Sequence, residues 1–176
     1  MTTFRVSFAA PGDMAALEPL VREMLTFHGG EAPLSPDAFA ARLEADGPAG
    51  RGAYECLIAR RAADTDAIGF AMYSTVYEAA FPGDGVFLRD IFVTEAARGT
   101  GVGRALMVAL ARTCRERGWN RIDWHADRLD LDARTFYELV APDSFRLNRL
   151  SYRVDAGQIE ALAALGGDSI IAETKS

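Results

Sequence analysis

The chain has 176 residues, enough for one well-buried core and short for two, and its 49% apolar and 25% charged residues are those of a folded globular protein. A net charge of −6 gives no general attraction to polyphosphate, which argues against nucleic acid as the main partner. Two cysteines without CxxC spacing suit a reducing compartment, and neither a basic-then-apolar leader nor an apolar run near the roughly 18 residues of a membrane span is read, so one cytoplasmic domain over residues 1–176 is expected.

The elements alternate along the chain. Phe4–Phe8 alternates apolar with polar and reads as a strand, and Pro11-Gly12-Asp13 breaks it, with Asp13 placed to cap a helix to about Phe27. His28-Gly29-Gly30 ends that helix, and Ser35-Pro36 begins a second one that stops before Gly47-Pro48. Tyr54–Arg60 and Ala67–Tyr77 read as a hairpin around a polar turn near Asp64. Phe81–Gly85 is a further turn, after which Val86–Val93 completes an antiparallel meander. A helix is expected over Val102–Arg117 with Gly118 as its stop, then a strand over Arg121–Asp127, a short helix over Asp132–Val140 and a strand over Leu147–Val154 that closes the sheet. A small apolar helix, Ile159–Leu165, precedes a fraying tail.

The segment Arg98-Gly99-Thr100-Gly101-Val102-Gly103 lies between a strand and a helix. The first amides of such a helix are unpaired and carry the positive end of its dipole, so an anion belongs there. Glycines at 99, 101 and 103 let backbone approach a pyrophosphate, and Arg98 and Arg104 add charge. Neither a Walker loop nor a dinucleotide fingerprint fits, because no Lys follows and the glycine spacing differs.

Taken with the preceding Ile91-Phe92-Val93, this segment resembles the R/Q-x-x-G-x-G/A signature of the GCN5-related N-acetyltransferases, the GNAT superfamily. Asp130 to Val140 resembles the same family's N-x-x-A-x-x-F-Y segment, with Ala133, Phe136 and Tyr137 in register, and the element order agrees over nearly the whole chain. The resemblance implies an α/β (α+β) fold: a mixed, mostly antiparallel sheet of six to seven strands flanked by helices, with a splayed strand pair that binds acetyl-CoA. It implies that Ile91, Phe92 and Val93 offer main-chain groups to the pantetheine arm, that Arg98, Gly99, Thr100, Gly101, Val102, Gly103 and Arg104 cradle the pyrophosphate, and that Asp130, Ala133 and Phe136 complete the cofactor site. Tyr137 then stands as proton donor to the departing thiolate. The implied activity is acetyl transfer from acetyl-CoA directly to a primary amine of a small molecule, polyamine or amino-acid-like. The alternatives are a protein lysine or N-terminal acetyltransferase and a non-catalytic acyl-CoA sensor.

The match is nearest in flavour to the diamine and polyamine acetyltransferase branch, whose strand reads L-E-D-x-x-V. Here Arg89 replaces the Glu while Asp90 is kept, Asp130 replaces the Asn and Leu129 a common Trp. Strand alternation is expected to put Arg89 and Asp90 on opposite faces, with Arg89 repelling a polycation. Glu31, Arg89, Asp90 and His125 are the candidate acceptor residues, with Asp84, Asp123 and Asp127 as further carboxylates. Two distant histidines without a ligand cluster give no metal site, and a homodimer through the C-terminal segment is left open.

Overall fold

The computed structural model describes residues 3–62, 66–79 and 83–165, so the turn at Asp64, the start of the turn at Phe81-Pro82 and the tail beyond Leu165 lie outside the described residues. Two compact units divide the chain, residues 1–140 and 141–176. The first unit holds strands β1 (Phe4–Phe8), β2 (Glu55–Arg61), β3 (Ala67–Tyr77), β4 (Asp84–Val93) and β5 (Ile122–Trp124). It also holds helices α1 (Met14–Phe27), α2 (Pro36–Asp46), α3 (Val102–Glu116) and α4 (Leu131–Val140).

The sheet runs β1-β2-β3-β4-β5, antiparallel except for the parallel β4/β5 pair, whose crossover carries α3. It is a mixed sheet flanked by helices, as expected, with five strands among the described residues where six to seven were expected. Leu147–Val154 forms no strand: its alternation finds no ladder partner among the described residues, and its exposed amides are left to water. Among the described residues of the second unit the regular element is α5 (Ala156–Ala164), begun by a capping box in which the Gln158 N–H donates to Asp155 and the Gln158 side chain accepts from the Asp155 N–H.

Each sheet face has its own core. On one face, Val86, Leu88, Tyr73 and Leu57 pack against Val102, Leu106 and Leu110 of α3. On the other, Phe70, Ile58, Cys56 and Phe92 pack against Leu17, Leu20 and Val21 of α1. Fully buried side chains such as Phe70 and Leu106 each contribute about 1.5–3 kcal/mol. Asp13 stands at the start of α1, but its side chain does not cap the helix. It accepts from the Ala10 N–H at 2.7 Å and from Arg60 at 2.7 Å, tying the turn back onto β2. Among the described residues no helix is long and apolar enough to cross a membrane.

Candidate active site

β4 carries one residue more than β3 across from it. Ala71 faces Ile91 and Met72 faces Asp90, but Tyr73 faces Leu88, so Arg89 is the extra residue of a β-bulge. A bulge shifts the alternation by one. Val86 and Leu88 point to the α3 core before it, and Ile91 and Val93 pack against that same core after it. Phe92, like its partner Phe70, lies in the α1 core.

This overturns the expected separation of Arg89 from Asp90. Arg89 sets its guanidinium 5.3 Å from the ring centre of Phe87, whose alternation with Val86 and Leu88 points it away from α3. Asp90 opposes Met72, which packs in the α1 core. Both side chains therefore leave β4 on the face away from α3.

β4 and β5 pair over three positions only, Val86 with Ile122, Phe87 with Asp123 and Leu88 with Trp124. β5 ends there, shorter than the expected Arg121–Asp127, because Asp127 accepts from the Leu129 N–H at 2.8 Å and turns the chain toward α4. Beyond Leu88 the edge of β4 parts from β5. Ladder bonds alternate in direction, and Thr94 donates to Ile68 of β3 at 3.1 Å. Phe92 accordingly bonds toward β3, while the main-chain groups of Ile91 and Val93 point into the gap. Of the three residues proposed to offer backbone there, Phe92 is committed to the sheet and two remain. The Val93 carbonyl accepts from Arg98 Nε at 3.1 Å.

At the end of the gap stands the N-terminus of α3. Gly101 is its N-cap at φ 93, with no side-chain hydrogen bond closing the first turn, and Gly99 has φ 74. A Cβ on either would meet nothing within 4 Å, so these two glycines serve the left-handed backbone and leave the amides open. Gly103 has another use. Its missing Cβ would stand 3.1 Å from the ring of Phe136, so the two signature segments lock together through this contact. Thr100 donates to the Ala97 carbonyl at 2.6 Å, tightening the turn. Arg98 stacks 4.3 Å from the ring centre of Phe27 and 5.5 Å from that of Phe92, which fastens the end of α1 to the turn. Val102 is buried and Arg104 exposed.

On the far side of the gap, Asp130 caps α4 by accepting from the Ala133 N–H at 2.9 Å. That cap presents Phe136 to Gly103 and sets the Tyr137 ring 5.4 Å from Trp124, the last residue of β5. Burial, reinforced by the carboxylates of Asp130 and Asp90, pushes the Tyr137 phenol up to about 12. Burial also raises the Asp90 carboxyl, against the pull of Arg89 and His28. Tyr137, Asp90, Arg89 and His28 thus form one electrostatic neighbourhood.

His125 lies just past β5, with its ring 5.0 Å from and edge-on to that of Phe87. Of the other acidic candidates, Glu31 is exposed in the loop after α1, Asp84 starts β4, Asp123 pairs with Arg121 at 2.5 Å, and Asp127 holds its turn. Among the described residues no group of three or more His, Cys, Asp or Glu is placed to hold a metal ion. Sequence reasoning missed Phe87, Phe27 and His28. The bulge left a trace, since the apolar period-2 pattern slips by one between Leu88 and Ile91, but Phe87 and Phe92 blurred it.

An uncapped, glycine-turned helix end thus follows a strand edge that is unpaired with β5 beyond Leu88. The sequence profile of the acetyltransferase (GNAT) family matches residues 19–140, and the chain belongs to that family, whose co-substrate is acetyl-CoA. The chain is 28% identical over 102 residues to an L-ornithine N5-acetyltransferase of Arabidopsis thaliana, a match covering 58% of this chain and 44% of that one. It is 24% identical over 175 residues to the thialysine N-epsilon-acetyltransferase of Sus scrofa, covering 90% of this chain and all of the relative. Among solved structures, an integron cassette protein from the mobile metagenome of V. cholerae superposes with a TM-score of 0.80 at 22% identity, covering 93% of this chain and 99% of that one, a likeness of fold.

Proposed function

We propose that the protein transfers the acetyl group of acetyl-CoA directly to a primary amine of a small molecule within a ternary complex. The observation that carries this reading is the strand edge itself: past its last pairing with Trp124, on which the Tyr137 ring packs, β4 leaves the Ile91 and Val93 amides without a β5 partner and runs on toward the uncapped N-terminus of α3. These residues suit acetyl-CoA. The α3 amides at Val102, Gly103 and Arg104 would receive the pyrophosphate, reinforced by the Arg104 charge, and the free amides of β4 would pair with the pantetheine arm. Bound there, acetyl-CoA supplies a thioester carbon open to attack by a neutral amine.

The chain's own groups then have distinct tasks. A main-chain N–H in the gap polarises the carbonyl oxygen, a fixed dipole that needs no reorganisation. Asp90 draws in and orients the amine, whose excess proton leaves to water. Tyr137 holds a proton at Oη and donates a hydrogen bond to the leaving sulfur. Burial holds its phenol up at about 12, so Tyr137 is a weaker acid than a thiol and hydrogen-bond donation, rather than full proton transfer, is the role that fits. The names of the plant and pig relatives, both acetyltransferases of small amines, support a small-molecule acceptor.

The test is thiol release from acetyl-CoA with polyamines, amino acids, aminoglycosides and lysine peptides offered separately. Transfer to a small amine supports the proposal. Transfer to peptides alone would make the protein a protein acetyltransferase, and binding without transfer to any amine would make it a sensor.

A further inference from the structure

Arg89 is the one residue of β4 set outside the ladder register, and it is exposed. Among the described residues it enters no salt bridge, and the Phe87 ring lies beneath its guanidinium. Phe87 is itself held edge-on by His125. Stacking of this kind holds the planar fork in one orientation, so less freedom is lost when it grips a partner. The partner such a fork matches is a carboxylate, taken through two parallel hydrogen bonds. Next to it on the same face is Asp90, half-buried, with the Arg89 guanidinium and the His28 imidazole in its electrostatic surroundings. A buried carboxylate of this kind favours an added cation, and an ammonium group fits.

The two charges thus stand side by side, one exposed and positive, one recessed and negative. A bare diamine or polyamine would satisfy Asp90 and push its second ammonium against Arg89. A molecule with one amine and one carboxylate would satisfy both.

We propose that Arg89 receives the carboxylate of an acceptor whose amine is held toward Asp90, so that the protein selects amino acids and similar carboxylated amines over bare diamines. This rests on the acetyl-transfer reading above and narrows its substrate class.

The test compares pairs that differ only by a carboxylate, ornithine with putrescine and lysine with cadaverine, in kcat/KM at saturating acetyl-CoA. The parent protein is expected to favour the carboxylated members by about 10- to 100-fold, the range for a charge-assisted contact. Arg89→Gln should erase most of that preference, chiefly through KM, and Arg89→Glu should reverse it toward the diamines. Because Arg89 is exposed, both variants should keep their thermal midpoint within about 2 °C, which separates loss of recognition from loss of fold. A parent preference for diamines, or a ratio unmoved by Arg89→Gln, would overturn the carboxylate assignment and leave acetyl transfer standing. Absence of transfer to every amine would overturn both.

Discussion

Replacing Gly103 by alanine should couple the two halves of the site in a measurable way. A Cβ there would stand 3.1 and 3.2 Å from two ring carbons of Phe136, closer than ordinary van der Waals contact, so the ring must give by a few tenths of an ångström. Two effects oppose each other. Alanine gains about 0.8–1.0 kcal/mol over glycine in a helix, and overpacking costs about 1–3 kcal/mol. The net loss is about 0–2 kcal/mol, or up to roughly 8 °C in Tm for a chain of this size. Phe136→Leu alone should cost on the order of 1 kcal/mol, because a partly buried ring is trimmed. In the double variant the clash is gone, so it should be more stable than the sum of the singles by the overpacking relieved, about 1–3 kcal/mol. Urea midpoints at constant m give the cycle. Turnover is a second readout: Tyr137 follows Phe136 in α4 and packs against it at 5.2 Å, so Gly103→Ala should lower kcat more than it weakens acetyl-CoA. Additivity within about 0.5 kcal/mol would refute the ring contact as the link between the segments.

Tyr137→Phe should lower kcat by about 10- to 100-fold with acetyl-CoA affinity intact by calorimetry; equal turnover at every pH would remove the phenol from the chemistry. Asp90→Asn should raise KM for the amine yet raise Tm, because a carboxyl whose folded pKa lies above its unfolded value is destabilising when ionised at neutral pH; a fall in Tm would contradict that sign. Folded stability should decline from about pH 9 upward. Burial holds the Cys56 thiol at about 12, raises Tyr54 and Tyr73 and puts Tyr137 at about 12, whereas the unfolded thiol and phenols ionise near 9 and 10. The unfolded chain therefore sheds protons first, and the stability present below those values is lost as pH climbs through the folded ones; flat urea midpoints from pH 8 to 11 would refute this. Arg98→Lys keeps the charge but loses the planar stack on Phe27 and Phe92, and should cost about 0.5–2 kcal/mol by urea unfolding, against no change if the stack is incidental.

Local chemistry made most of the elements legible. Glycines 99 and 101 announce a turn that only they can make, Gly118 at φ 71 stops α3 where it was expected to, and the apolar spacing of Val102, Leu106 and Leu110 marks the face that α3 buries. β3 was read to its ends, Ala67–Tyr77, because its apolar run is long and bounded by turns. The strand expected over Leu147–Val154 failed for the opposite reason. Alternation states that a segment is able to pair, but a strand forms only where an edge accepts it.

The sequence by itself determined the family, the order of the elements of residues 1–140, and the glycine turn before α3, because these depend on steric rules and spacings that act within a few residues. The tertiary structure alone decided which face Arg89 takes, that Gly103 makes room for Phe136, that Arg98 rides on Phe27, and how strongly Asp90 and Tyr137 are perturbed. Each of these depends on a partner distant along the chain. A bulge exists only against an opposite strand, a clash only against a packed ring, and a pKa shift only where folding has taken water away.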